Sequence, residues 1–147
     1  SLAFGAAVRR AIEKSDRKVL VLASGSLSHR FSDDRNAEAN IHNWTREFDK
    51  QMDLRVVELW KQGRFKEFCA MLPDYASHCY GEGGMHDTAM LYGLLGWKDY
   101  QGKAEVLTPY FESSGTGQCN VLFPLAWMVS VPAEAASVTV SPRWSTR

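Results

Sequence analysis

The run Lys18-Val19-Leu20-Val21-Leu22-Ala23, closed by Ser24-Gly25, constrains the fold more than any other stretch of the chain. It is short and continuously apolar, which is how a strand buried on both faces reads. Such a strand must be covered by helices, and the residues before it supply one. Phe4, Ala7, Val8, Ala11 and Ile12 fall on one helical stripe, while Arg9, Arg10, Glu13 and Lys14 fall outside it. A helix leading into a doubly buried strand predicts an α/β fold, with a central mixed sheet flanked by helices. The loop Ser24-Gly25-Ser26-Leu27-Ser28-His29 leaves the strand at the end where open α/β sheets bind ligands.

Further along, Ile41, Trp44, Phe48, Met52, Val56 and Leu59 step by three and four, predicting a long helix ended at Gly63. A short helix is expected over residues 65–72, stopping before Pro73. The glycine-rich stretch Tyr80-Gly81-Glu82-Gly83-Gly84-Met85-His86-Asp87 leads into an apolar helix over residues 88–95, closed by Gly96 and surrounded by protein. Residues 104–108 and 118–123 read as strands that pair as a hairpin, with Pro109 at the edge of the first. No repeat or linker divides the 147 residues, so one domain is expected.

Charge and cysteine content exclude several classes of function. Seventeen basic and seventeen acidic side chains leave no net field to gather nucleic acid or anionic lipid. The local cluster of Arg9, Arg10, Lys14, Arg17 and Lys18 solvates a helix and its exit. No apolar run approaches the length of a membrane span. Cys69, Cys79 and Cys119 are odd in number and form no CxxC pair, which suits reduced thiols in a cytoplasmic protein.

His29 is the first candidate for chemistry, because an imidazole at a strand exit can exchange protons near neutral pH on a rigid support. The competing reading is a structural histidine bonded within its own loop. Glu82, flanked by Gly81 and Gly83-Gly84, needs a cation or donors if buried; a metal, Arg30 and the helix amides are the candidates. His86 shares a face with Glu82 only if the helix begins early, and Asp87 reads as a cap. His42 stands at the start of the long helix, where it either approaches a ligand or packs. His78 fits no ligand spacing. The loop Ser113-Ser114-Gly115-Thr116-Gly117 has the amides of an anion nest without the lysine and helix of a phosphate loop. Gly25-Ser26-Leu27-Ser28 is not a hydrolase elbow.

Four segments, taken in order, resemble a known family: residues 23–31 through Ser28-His29-Arg30-Phe31, residues 40–49 through Asn40-Ile41-His42-Asn43-Trp44, residues 80–91 through Gly81-Glu82-Gly83-Gly84, and Ser113-Ser114-Gly115-Thr116-Gly117-Gln118. Together they resemble the C-terminal part of the class III extradiol dioxygenases, over about residues 6–125. The resemblance implies a non-haem Fe(II) held by two histidines and a glutamate, with open positions for a catechol and O2. It matches Glu82 to the glutamate and His29 to an acid/base beside the metal, and it leaves Ser28, Arg30 and His42 as candidates for the substrate side. The family's histidine ligands belong to an N-terminal half with no counterpart in this sequence. The chain is therefore expected to be inactive alone, as the C-terminal part of a longer dioxygenase or as a subunit needing a partner or a second copy. A structural α/β module is the other alternative. Residues 127–147 depart from the family pattern and read as a divergent tail.

Overall fold

The computed structural model describes residues 1–31, 33–39, 41–43 and 46–125, and the divergent tail lies outside them. The architecture is mixed α/β, with small β-sheets flanked by helices. Four α-helices come first: α1 (Leu2–Glu13), α2 (Glu47–Gln62), α3 (Phe65–His78) and α4 (His86–Leu95). Four short strands follow: β1 (Glu105–Val106), β2 (Phe111–Ser113), β3 (Thr116–Gln118) and β4 (Val121–Leu122). β1 pairs antiparallel with β4, and β2 with β3, so the expected hairpin forms with a second ladder nested inside it.

The helix ends follow local chemistry. α2 stops at Gly63, whose φ of 72° ends the helix in the left-handed region, and α4 stops in the same way at Gly96, φ 106°. α2 starts later than the hydrophobic spacing predicts. The carbonyls of Ile41 and Asn43 accept hydrogen bonds from Ser114 and Gly115, at 3.1 and 2.7 Å, so they serve the β2–β3 turn instead of a helical turn. α3 runs through Pro73 instead of stopping before it. Pro73 is exposed while Leu72, Tyr75 and Cys79 are buried, so the core face continues past the proline and packing outweighs the lost hydrogen bond.

α1 lies across α4 at two glycines. A methyl group on Gly5 would collide with the carbonyl of Met90, and one on Gly93 with the carbonyl of Leu2, so the backbones touch where neither residue carries a side chain. Below them, Trp60, Phe65, Phe68, Tyr92, Tyr100 and Phe123 form an aromatic core with edge-on contacts such as Phe65–Tyr100 at 4.7 Å and Trp60–Phe68 at 5.2 Å. As expected, α4 is covered by protein along most of its length.

The apolar run over residues 18–23 departs from its expected burial. It joins no ladder, and Leu20 and Leu22 are 75% and 80% exposed. The alternation of a strand is nonetheless present, since Val19 and Val21 are half-buried between them. The physical reason is that the described residues offer this run no hydrogen-bonded strand partner until Leu27, although Val21 packs against the core. From there the chain is captured: Leu27 N–H donates to the Gly117 carbonyl at 2.8 Å, Gly117 N–H donates to the Ser28 carbonyl at 3.0 Å, and His29 bridges to Thr116.

Candidate active site

Loop 26–29 and the glycine-flanked turn at residues 81–85 are tied together at Glu82. Its backbone N–H donates to the Leu27 carbonyl at 3.3 Å, and its Oε2 accepts from the Ser26 amide. The turn is tight because Gly83, Gly84 and Met85 all adopt positive φ, 55°, 65° and 57°. Space above Gly83 is open, with nothing within 4 Å of where a Cβ would stand. His29 Nε2 lies 4.0 Å from Glu82 Oε2, with both side chains partly exposed. The two foremost sequence candidates, separated by 53 positions in the chain, therefore meet at one oxygen atom.

The loop is held from below by a carboxylate that sequence reasoning missed. Asp53 is fully buried on α2, and its two oxygens accept four hydrogen bonds. Ser28 N–H at 3.1 Å and Tyr75 O–H at 2.6 Å reach Oδ1; Ser28 Oγ–H at 2.7 Å and Tyr110 O–H at 2.8 Å reach Oδ2. Burial pushes the Asp53 carboxyl above its ordinary value, and the four donors recover only part of that shift. Burial and the facing carboxylate likewise push the Tyr75 and Tyr110 phenols up, so both remain hydrogen-bond donors. One turn earlier on α2, buried Asp49 pairs with Arg30 Nε at 3.2 Å and Arg46 Nη2 at 2.5 Å. The Asp49 hydrogen bond raises the Arg46 pKa above its usual value. A signal for this pair existed: Asp49, Asp53, Val56 and Trp60 follow helical spacing on the buried side of α2, and acids inside such a stripe need partners.

The remaining sequence candidates fall into separate places. The Ser28 hydroxyl is turned inward to Asp53. Arg30 is paired with Asp49 and stacks over the Tyr80 ring at 3.8 Å. His42 is exposed on the turn at residues 41–43, and no contact joins it to His29 or Glu82. His86 meets Ser1 Oγ at 2.7 Å, and His78 Nδ1 lies 2.9 Å from the Asp74 carbonyl. Arg30 is one candidate partner for Glu82 by sequence; the Ser26 amide takes that place.

Among the described residues, no group of three histidine, cysteine or carboxylate side chains is placed to hold a metal ion. Glu82 fits the requirement for a single oxygen donor. Its Oε2 is fixed by an amide, and Oε1 makes no hydrogen bond to the described residues. The arrangement places one partly exposed carboxylate beside one imidazole, donor types that a metal of the Fe(II) class accepts.

Comparison with known proteins settles the lineage. Residues 1–124 match the family model described as the catalytic LigB subunit of aromatic ring-opening dioxygenase. The chain belongs to this family. It is 59% identical over 110 residues to the 3,4-dihydroxyphenylacetate 2,3-dioxygenase of Escherichia coli, covering 75% of this chain and 40% of that protein. It is 33% identical over 82 residues to the 2-aminophenol 1,6-dioxygenase beta subunit of a Pseudomonas species, covering 53% of this chain and 27% of that one. The chain thus spans less than half the length of these LigB-family relatives, and its match is to the C-terminal portion. No helix among the described residues is long and apolar enough to cross a membrane.

Proposed function

We propose that this chain forms the C-terminal part of an Fe(II)-dependent extradiol dioxygenase that cleaves a catechol such as 3,4-dihydroxyphenylacetate with O2. The observation that carries this reading is the 4.0 Å approach of His29 Nε2 to Glu82 Oε2 across two loops joined by backbone hydrogen bonds. Glu82 is the residue that would hold the metal. When bound, the iron supplies a centre on which a diol and O2 meet and exchange electrons. Positioning and proton handling fall to the chain's own residues. The glycines around Glu82 keep bulk away from its free oxygen. The Ser26 amide fixes the carboxylate's direction. His29, at hydrogen-bonding range of a group seated beside Glu82, takes a proton from one hydroxyl of the diol and returns it to the product. Ser28 contributes by anchoring its neighbour His29 to Asp53. The thiols fit a reducing, cytoplasmic setting.

The remaining donors come from outside the described residues, from a preceding segment, a partner subunit or a second copy. The test is a completed enzyme, made by combining this chain with the N-terminal portion of the Escherichia coli relative. His29→Ala is expected to keep most of the iron and to slow turnover by about 10²–10⁴-fold, the usual contribution of a positioned acid/base. Glu82→Ala is expected to lose the iron itself. Equal iron contents in the two variants would remove Glu82 from its role. Undiminished turnover in His29→Ala would remove His29.

A further inference from the structure

Strand and helix geometry bring two pairs of residues into one register behind His29. Successive residues of an extended chain advance about 3.3 Å and point to opposite faces, so Ser28 and Arg30 share a face and stand about 6.6 Å apart. A helix advances about 1.5 Å per residue, so Asp53 and Asp49 share a face and stand about 6 Å apart. The two spacings match, and the pairs meet in opposite order along the chain. Ser28 donates to Asp53 through its amide at 3.1 Å and its hydroxyl at 2.7 Å, and Arg30 Nε lies 3.2 Å from Asp49 Oδ2. Both carboxylates are buried. The Arg30 guanidinium is held elsewhere too: its Nη2 donates to the His78 carbonyl at 3.4 Å, and its central carbon lies 3.8 Å from the centre of the Tyr80 ring. Arg46 fixes Asp49 in turn, with Nε at 2.9 Å and Nη2 at 2.5 Å, and donates to the same His78 carbonyl at 2.7 Å.

We propose that Asp49 and Arg30 are positioning residues for His29, forming with Asp53 and Ser28 a two-point clamp that aims the imidazole at the space beside Glu82. His29 stands between two anchors on one face, so its side chain leaves by the opposite face, where Nε2 lies 4.0 Å from Glu82 Oε2. The direction of a side chain is set by the peptide planes on both sides of it. The plane before His29 is held by the Ser28 carbonyl, which accepts from Gly117, and by the His29 amide, which donates to the Cys79 carbonyl at 3.3 Å. The plane after it leads into Arg30, whose side chain is drawn to α2. Asp53 therefore secures one side of the histidine, and Asp49 secures the other. Arg30 is thereby a tether. A guanidinium engaged by a carboxylate, a carbonyl and an aromatic face is committed to holding the loop and not to meeting the charge of a substrate.

This role rests on the proposed part of His29 in the reaction, and two measurements separate the one from the other. The first needs neither iron nor turnover. In this chain alone, a nuclear Overhauser contact is expected between the rings of His29 and Phe31, which stack with their centres 6.0 Å apart. It should weaken in Arg30→Gln and in Asp49→Asn; an unchanged contact in both overturns the clamp. Arg30→Gln leaves Asp49 its bidentate partner Arg46, so a folded variant remains even where Asp49→Asn unfolds. The second measurement is turnover in the enzyme completed with the N-terminal portion of the Escherichia coli relative. Each variant is expected to keep its iron and its KM for 3,4-dihydroxyphenylacetate while kcat falls by about 10–100-fold, the scale for a slightly misplaced catalytic group. In a His29→Ala background neither should cost anything more, because a residue acting through His29 has nothing left to position. Loss of iron, or an equal further loss of turnover in that background, means a general structural role and overturns the proposal. So does a raised KM in Arg30→Gln with kcat intact, which makes Arg30 a substrate contact. Full turnover in His29→Ala refutes the reading of that residue, and the ring contact in the metal-free chain still decides the clamp.

Discussion

Asp53 gives the sharpest test of how the His29 loop is held. Replacement by Leu keeps the branched shape, with two bulkier methyls for two oxygens, but removes every acceptor. Ser28 N–H, Ser28 Oγ–H and Tyr75 O–H then have no partner in a site closed to water, while Tyr110 is only half-buried. At about 1–3 kcal/mol for each orphaned buried group, less the relief of the carboxylate's own desolvation, the loss is on the order of 4 kcal/mol. That is a large share of the ~5–15 kcal/mol by which domains are stable. Asn is different. Its oxygen can take the Oδ1 position, where the partners include the Ser28 amide, which can only donate. Its NH2 then faces the Ser28 and Tyr110 hydroxyls, which rotate to accept. Asp53→Asn is therefore expected to cost about 1–2 kcal/mol. Urea unfolding followed by the fluorescence of buried Trp60 measures both. The pH dependence has a definite sign. Because burial raises the folded-state pKa above the ordinary 3.8, the stability this carboxyl contributes is fully present below that value. It is lost as pH rises through the folded pKa. The native chain should gain stability over Asp53→Asn as pH is lowered from about 8 towards about 4. Equal stabilities for Leu and Asn, or a native advantage that grows with rising pH, would refute this account.

Gly117→Ala should disturb the same cluster from the strand side, since the added methyl would run into Asp53 Oδ2 and the Tyr110 hydroxyl. A loss of about 1–3 kcal/mol in the same urea assay is expected, and a neutral result would mean that β3 does not press on Asp53. Burial pushes the thiols of Cys69, Cys79 and Cys119 up to about 11 from an ordinary 9.0. Alkylation by iodoacetamide at about pH 8 should therefore be about 100-fold slower than in the urea-unfolded chain; comparable rates would contradict it.

The parts of this fold that the sequence reveals are those whose causes are local. The helix α1, the glycines that end α2 and α4, and the pairing of residues 104–108 with 118–123 all depend on a few neighbouring side chains, and all are present. The stripe read for α1 is only partly covered, with Phe4 exposed and Val8 and Ile12 half-buried. Remote causes leave no such trace. The start of α2 is set by the β2–β3 turn, which takes the carbonyls of Ile41 and Asn43 from about seventy positions away. Hydrophobic spacing puts Phe48 on the inner stripe, yet it is 50% exposed, because the buried side of α2 is organised by Asp49 and Asp53. The meeting of His29 with Glu82 follows from the family resemblance and not from spacing. Nothing in either segment encodes the Ser26–Glu82 and Leu27–Glu82 hydrogen bonds that bring them together. The strand over residues 18–23 has the composition for its task but no ladder among the described residues. Composition reports what a segment is suited to pair with, whereas a sheet requires that the neighbour be present.

The clasp at Glu82 bears on the order in which a complete centre would come together. A flexible carboxylate gives up side-chain freedom when a cation captures it, and that loss weakens binding. Here the loss is incurred during folding, when the Ser26 amide and the Leu27 carbonyl engage the residue from both ends. In the proposed role, a cation arriving afterwards would find this carboxylate already oriented. Its removal by a chelator should correspondingly leave the two loops in register, in contrast to small zinc domains that unravel when their metal is withdrawn.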